Sequence, residues 1–458
     1  MKHTFMKDKV NERMPLPKLG ILGFQHVLVM YSGAIIVPIL LGAALGLSNQ
    51  ELSFLIAADL FTCGLATLIQ VLGIGKNIGI KLPIMFGAAV ITLPAMIMIG
   101  QKGGLPAVYG AIIVSGLYVF FLSFFIHKLL IFFPKIVIGC LVTIIGFSLT
   151  PIAIKDIAGG ENSPTFGDPI NFLLAISVIL TIIILNKFSK GFLKSISILI
   201  GIIVGSVLTY FCGMVDFKPV VDASWFSLVT PLYFGLPTFS LTDAIIMSIF
   251  ITIAVIESVG IYSLVGEMVN KKVTSEQIAN GIRAEGIAQV LGGIFNGLPY
   301  ITFSENVGIM TITGVKTRYA LVSASIILIL LGTVPKFSSL ATIIPSPVLG
   351  GAMLVIFGMI GATGIKILSD VKLTNNNLLI ISCSIGFGLG ADLIDGLFKK
   401  MPALVAMLFG NGIFVGTFIA IVMNIFFNFN KDLNNTEEFQ NEQDIDMQNN
   451  HLNDVVVK

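Results

Sequence analysis

Charge is scarce in this chain: Asp, Glu, Lys and Arg make up 11% of the 458 residues, against 55% hydrophobic types. With a mean hydropathy of +0.96, too few polar groups are present to clothe a water-exposed surface of this size, and a soluble fold is excluded. Cysteine and histidine are scarce too, with four residues of each. Cys63, Cys140, Cys212 and Cys383 fall in or at the ends of apolar segments, with no CxxC pair and no neighbouring His at ligand spacing, so they read as packing residues and no metal site is expected. The net charge of +2, with the bases spread over short loops, leaves no footprint for nucleic acid. No HExxH, GxSxG or GxxxxGK[ST] sequence occurs, which argues against an enzyme and against a self-contained ATP-driven pump.

What the chain has instead is apolar runs of the length that crosses a hydrocarbon core of roughly 30 Å as a helix. They divide into fourteen spans, at 20–46, 52–73, 80–100, 105–127, 131–150, 169–187, 194–214, 241–266, 276–294, 299–315, 319–335, 344–365, 375–397 and 401–429. This is an all-α polytopic membrane protein. Lysines and arginines concentrate in the even-numbered connections (Lys187, Lys190, Lys194, Lys271, Lys272, Lys316 and Arg318 among them), which by the positive-inside rule puts both termini in the cytoplasm. Residues 1–19 then form a cytoplasmic N-terminal segment. The long connection 215–240, with Asp216, Asp222 and the lone Trp225, is an extracytoplasmic linker separating seven spans (20–214) from seven (241–429). An odd repeat unit must be inverted. Residues 430–458 turn Asn-, Asp- and Glu-rich and read as a disordered cytoplasmic tail.

Each half interrupts its third span with a poorly helical stretch that follows Leu-Pro: Leu82-Pro83-Ile84-Met85-Phe86-Gly87 and Leu298-Pro299-Tyr300-Ile301-Thr302-Phe303. Each reads as a short β-like segment followed by a half-helix. Discontinuous spans at matching positions of two halves point to a transport site near the midplane, although either Pro by itself could simply kink a continuous helix. Acids inside apolar spans sharpen the reading, because an ionised group at the bilayer centre is costly unless it is paired, protonated or wetted. Glu257 lies mid-span in Ala254-Val255-Ile256-Glu257-Ser258, Glu285 lies within the ninth span, and Glu305 directly follows the second interruption. Arg283, two residues from Glu285, points elsewhere on a helix, which leaves Glu285 open to an ion pair with another span. His26 sits inside the first span, where it could be a hydrogen-bonding group between helices or part of a proton relay. Asp59, Asp392 and Asp395 lie nearer span ends and read as surface or interhelix groups. Facing carboxylates can accept the N–H groups of a planar heterocycle at its edge, which favours nucleobases over sugars or ions, and a carboxyl that takes up a proton can link proton and substrate movement.

Glu305-Asn306-Val307-Gly308-Ile309-Met310-Thr311-Ile312-Thr313-Gly314 fits the signature of the nucleobase–ascorbate transporters, or nucleobase:cation symporter-2 family, in full. Gly23-Phe24-Gln25-His26-Val27-Leu28 and the Glu257 span also resemble that family, over nearly the whole membrane region. The resemblance implies two inverted seven-span repeats, a core domain (spans 1–4 and 8–11) that moves against a gate domain (5–7 and 12–14), and short β-strands in broken spans 3 and 10. It implies that Glu257 and Glu305 bind the base, with His26, Glu285 and Asn306 supporting binding or proton coupling. Backbone amides around Phe86, Gly87 and Ala88 and around Phe303 and Ser304 would complete the pocket. The expected function is proton-coupled uptake of a purine of the xanthine or urate type across the inner membrane, by a homodimer in membrane lipid. The proton motive force drives it and no cofactor is needed. Two residues depart from the xanthine members. Ile261 stands where a second acid is common, and Glu305 in place of Gln resembles the uracil members, so a uracil permease is the alternative. Thr313-Gly314-Val315-Lys316-Thr317-Arg318 looks like the xanthine and urate branch. Ala88-Ala89-Val90 replaces the hydroxyl and aromatic residues frequent there. An anion carrier of the same fold is less favoured, because acids occupy the site.

Overall fold

The computed structural model describes residues 9–126, 128, 132–161, 163–394, 396–398 and 400–428. The tail expected over 430–458, the start of the N-terminal segment, and Asp395 lie outside them. The described chain is mostly helical. Among the described residues seven helices are long and apolar enough to span a membrane, and an eighth forms if one pair bent by 81° is counted as a single span.

The expected first span divides into α1 (Leu16–Ala34) and α2 (Ile36–Leu45). Pro38 accounts for the break, since it can give no N–H to the carbonyl four residues back, at the end of α1. A capping box opens α3 (Asn49–Leu72): Ser48 Oγ accepts the Glu51 N–H at 3.3 Å, and Glu51 Oε2 accepts the Ser48 N–H at 2.9 Å. After strand β1 (Phe86–Ala88) comes α4 (Leu93–Leu122), which covers parts of two expected spans and is broken at Gly104 (φ 68°), just ahead of Pro106. Helices α5 (Lys135–Ile157), α6 (Pro169–Phe188) and α7 (Ser197–Phe211) follow. In the second half, α8 (Lys218–Asp222) precedes α9 (Leu241–Met268) and α10 (Ser275–Phe295). Strand β2 (Tyr300–Thr302) leads into α11 (Glu305–Thr313), then α12 (Tyr319–Gly332) and α13 (Pro335–Thr342), the bent pair. Last come α14 (Ser346–Ser369), α15 (Asn375–Asp392), α16 (Ala403–Phe409) and α17 (Gly412–Asn428).

The chain forms two compact units, 1–124 with 149–357 and 125–148 with 358–458. The larger unit contains both strands. Its helix α10 is too polar to pass for a membrane span by hydropathy, yet Asn280, Glu285 and Gln289 are buried there, because α10 packs on α3, α4 and α9. Small residues make the α4–α10 approach close: a Cβ at Gly286 would lie 2.6 Å from the Phe120 nitrogen and 2.7 Å from the Gly116 oxygen. In the smaller unit Asp392 Oδ1 accepts the Gly412 N–H at 2.6 Å, an interhelix role as expected.

The connection 215–240 is stitched to the ends of the helices beside it. Lys336 Nζ on α13 donates to the Val220 and Val221 carbonyls at 2.9 and 3.0 Å and lies over the Trp225 ring. Leu232 and Thr238 donate their N–H groups to the Ile294 and Pro106 carbonyls, and the Tyr233 ring stacks on Phe54 with centroids 3.7 Å apart. A cavity of about 830 Å³ opens beneath it, lined in part by Ser53, Phe54, Tyr233, Ser338 and Ser339. Among the described residues, none of the expected site residues lines this cavity. The cysteines Cys63 and Cys140 are buried, Cys63 with its thiol on the Phe86 carbonyl rather than as a packing group alone, whereas Cys212 is exposed.

Because the atoms facing Gly286 are backbone, they cannot swing aside. Gly286→Val is expected to cost about 1–3 kcal/mol, read as a lower thermal midpoint of the detergent-purified protein. A native midpoint would show that the α4–α10 seam tolerates a side chain.

Candidate functional site

The Leu-Pro segments of the two halves meet. Strands β1 and β2 pair antiparallel in the register Phe86↔Thr302, Gly87↔Ile301 and Ala88↔Tyr300. The ladder extends one residue at either end, where Phe303 N–H donates to the Met85 carbonyl and Ala89 N–H to the Pro299 carbonyl, each at 2.8 Å. Hydrogen-bonded pairs alternate with non-bonded ones, so these bonds make Gly87 and Ile301 a bonded pair and turn the Phe86 and Ala88 amides outward. The outward Phe86 N–H donates to Thr67 Oγ1 on α3 at 3.1 Å. The Phe86 and Phe303 amides, expected to face a ligand, are thus committed to the scaffold. Of the expected amides Ala88 is turned out of the ladder, and Ser304 is exposed at the entry to α11. Gly87 is required at its position, since a Cβ there would lie 2.5 Å from the Phe303 ring.

Around this crossing the structure gathers the other candidates. His26 on α1 and Asn306 on α11 are both buried, at 3% exposure. Asn306 Nδ2 lies 3.1 Å from His26 Nδ1 and 3.4 Å from the His26 carbonyl, and rests against Met85 Sδ. Surrounded by acceptors, that nitrogen is the donor, which makes His26 Nδ1 an acceptor and places the ring proton on Nε2. Asn306 Oδ1 has no hydrogen-bond partner among the described residues.

Glu285 is fully buried. Its Oε1 accepts from the Tyr262 hydroxyl and from Thr302 Oγ1, the latter at 3.3 Å. The Tyr262 oxygen in turn accepts from Gln70 Nε2 at 2.7 Å, and Ser258 Oγ accepts the Thr302 N–H at 3.2 Å. Neutral donors therefore hold Glu285. Arg283 is engaged elsewhere, with Asn280 Oδ1, the Asn77 carbonyl and Ser123 Oγ, which leaves it no part in an ion pair with Glu285. Glu257 adjoins Ser258 where α9 crosses β2. It is half-buried and within electrostatic reach of Glu285. One turn on, Gly260 is exposed, and a Cβ there would meet nothing within 4 Å. The backbone of Glu305 begins α11, while its side chain lies outside the described residues.

Other residues complete the frame. Asp59, expected as a surface or interhelix group, is an interhelix group buried to 1% exposure and accepts from the Tyr300 hydroxyl at 2.9 Å. Asp59, Cys63, Thr67 and Gln70 occupy one face of α3, and each bonds either to the strand pair or to Tyr262. Polar residues at i, i+4, i+8 and i+11 of an apolar span were a visible signal, because a helix stacks those positions on one side.

A family model, Xan_ur_permease, described as a permease family, matches residues 17–395. The chain belongs to the nucleobase–ascorbate transporter family. It is 46% identical to a xanthine permease of Bacillus subtilis over 408 residues, covering 89% of this chain and 93% of that protein. It is 45% identical to the uric acid permease PucK of the same organism over 411 residues, covering 90% and 95%. Among solved structures, the transmembrane domain of the cyanobacterial bicarbonate transporter BicA matches with a TM-score of 0.62 at 16% identity, covering 84% of this chain and 98% of that one, a likeness of fold alone. As a member of this family the chain is a multi-pass membrane transporter of nucleobases and not an enzyme.

For this transporter, Tyr262→Phe removes a donor from buried Glu285 and an acceptor from Gln70. The expected cost is about 1–3 kcal/mol, read as a lower thermal midpoint with the protein still inserted in the membrane. An unchanged midpoint would show that the Tyr262 hydroxyl does not hold Glu285.

Proposed function

We propose that the protein is a secondary active transporter that brings a purine base of the xanthine or urate type into the cell together with protons. The observation that carries this reading is the pair of relatives at 45–46% identity, named as xanthine and uric acid permeases, which align with this chain over nine-tenths of its length. The site chemistry fits. Glu257 offers a carboxylate on an open helix face beside the β-crossing, suited to the N–H edge of a planar base. Ala88 offers a backbone amide turned out of the ladder, and the half-helix α11 begins beside the same crossing. His26, Asn306 and Glu285 support the strands, and a proton taken up within that network would favour the conformer that also binds the base. The fuller proposal is fourteen spans in two inverted repeats, with a core moving against a gate. Both termini lie in the cytoplasm, and the protein is a homodimer in the inner membrane driven by the proton motive force without a cofactor.

The test is uptake of labelled xanthine, urate and uracil by proteoliposomes, with and without a protonophore. Purine uptake lost on adding the protonophore supports the proposal, and failure of all three bases to enter or compete overturns it. Glu257→Gln replaces a charged acceptor with an amide. A charge-assisted bond of about 1.5–3 kcal/mol corresponds to an affinity loss of roughly 10- to 100-fold, and native uptake by normally inserted protein would remove Glu257 from the site.

A second reading, uracil transport, is favoured by Glu305 at the head of the signature. Glu305→Gln exchanges a pure acceptor for a mixed donor and acceptor. It is expected to change the ratio of purine to uracil uptake while the amount in the membrane holds. A constant ratio would mean that Glu305 does not contact the base.

A further inference from the structure

Strand β2 is anchored on one face by two buried carboxyls that come from different helices. In a strand, residues i and i+2 point the same way, and here they are Tyr300 and Thr302. Thr302 reaches Glu285 on α10, and Tyr300 reaches Asp59 on α3. The Tyr300 hydroxyl lies 2.9 Å from Asp59 Oδ1 and 3.1 Å from the Asp59 carbonyl, and its oxygen accepts the Leu298 N–H at 3.3 Å. Tyr300 and Leu298 are fully buried. One phenol thus fixes the helix α3, the turn before β2 and the strand itself to a single point. Asp59 Oδ2 has no hydrogen-bond partner among the described residues. A fully buried carboxyl is a costly choice for mere packing, where an apolar side chain would serve.

The same face of α3 also holds β1, through the Thr67 hydroxyl on the Phe86 amide and the Cys63 thiol on the Phe86 carbonyl. Both strands are therefore referenced to one rigid helix. A shift of the Tyr300 end would carry through Thr302 and Phe303 to Ser304 and the start of α11, the segment that faces the base. We propose that Asp59, acting through the Tyr300 hydroxyl, is a positioning residue that sets the place of the 302–304 backbone and hence the affinity for substrate. This rests on the functional reading above in one respect only, that the 302–304 segment faces the base.

The test compares Tyr300→Phe, Asp59→Ala and Asp59→Asn in the full chain with wild type, by purine uptake kinetics and by amide hydrogen exchange of the 298–304 segment in lipid nanodiscs. Tyr300→Phe and Asp59→Ala are expected to raise KM about 10-fold with kcat within about two-fold, and to speed exchange across 298–304 while exchange in 346–357 is unchanged. Asp59→Asn keeps the accepting oxygen and is expected to stay within about two-fold of the wild-type KM. If Asp59→Ala does not insert, Tyr300→Phe decides. Native KM and native exchange in Tyr300→Phe overturn the proposal, as does an Asp59→Asn as impaired as Asp59→Ala, which would assign the residue to proton carriage. A wild type that takes up no base refutes the functional reading, and the exchange experiment then decides on the strut by itself.

Discussion

A backbone that leaves the helix inside a bilayer must find partners for its N–H and C=O groups without help from water. Two interrupted spans meet that demand for each other: β1 and β2 close a short antiparallel ladder, extended by the bonds of Phe303 to Met85 and Ala89 to Pro299. The outward groups that the ladder leaves over are taken by side chains, Thr67 for the Phe86 amide and Ser258 for the Thr302 amide. Cys63 and Thr67 of α3 and Ser258 of α9 are therefore a consequence of the strands. They satisfy backbone groups that a continuous helix would have satisfied internally.

The larger unit follows from this requirement. To reach Thr302 of β2, α10 must bring Glu285 into the interior, and it can do so because glycines let it lie close against α4. Gly87 leaves room for the Phe303 ring, which also lies against Gly33 of α1. His26 and Asn306 join α1 to α11 beside the same crossing. Most of the machinery thus holds two extended segments still, while Glu257 and the Ser304 end stay comparatively open. In the proposed reading that division is useful: the groups that meet the cargo are few, and the groups that set their geometry are buried and mutually bonded.

The comparison with solved structures adds a physical lesson about scaffold and specificity. A bicarbonate transporter domain shares the fold at 16% identity, whereas the relatives named as xanthine and uric acid permeases share 45–46% of residues. The paired broken spans are compatible with very different cargo, and the chemistry presented at their ends decides which is taken. In the proposed reading that chemistry includes the Glu257 carboxylate, which suits N–H donors on a ring better than an anion.

The sequence by itself determined the membrane class, the two interruptions after Leu-Pro, the family and most of the candidate residues. Hydrophobicity, helix-breaking residues and misplaced charge are local signals that survive without coordinates. Partners were another matter. Glu285 was open to an ion pair, and only the packing of α9, α10 and β2 showed Tyr262 and Thr302 as its donors, with Arg283 turned to the 73–81 loop. The Phe86 amide, which the family resemblance would turn toward a ligand, is committed to Thr67 by the strand register. Asp59 could be placed only near a span end, although the spacing of Asp59, Cys63, Thr67 and Gln70 already marked one face of a helix. What that face touched, Tyr262 and Tyr300, lying 192 and 241 positions from Gln70 and Asp59, was decided by tertiary structure, because a hydrogen bond between distant segments leaves no periodicity in the chain that makes it.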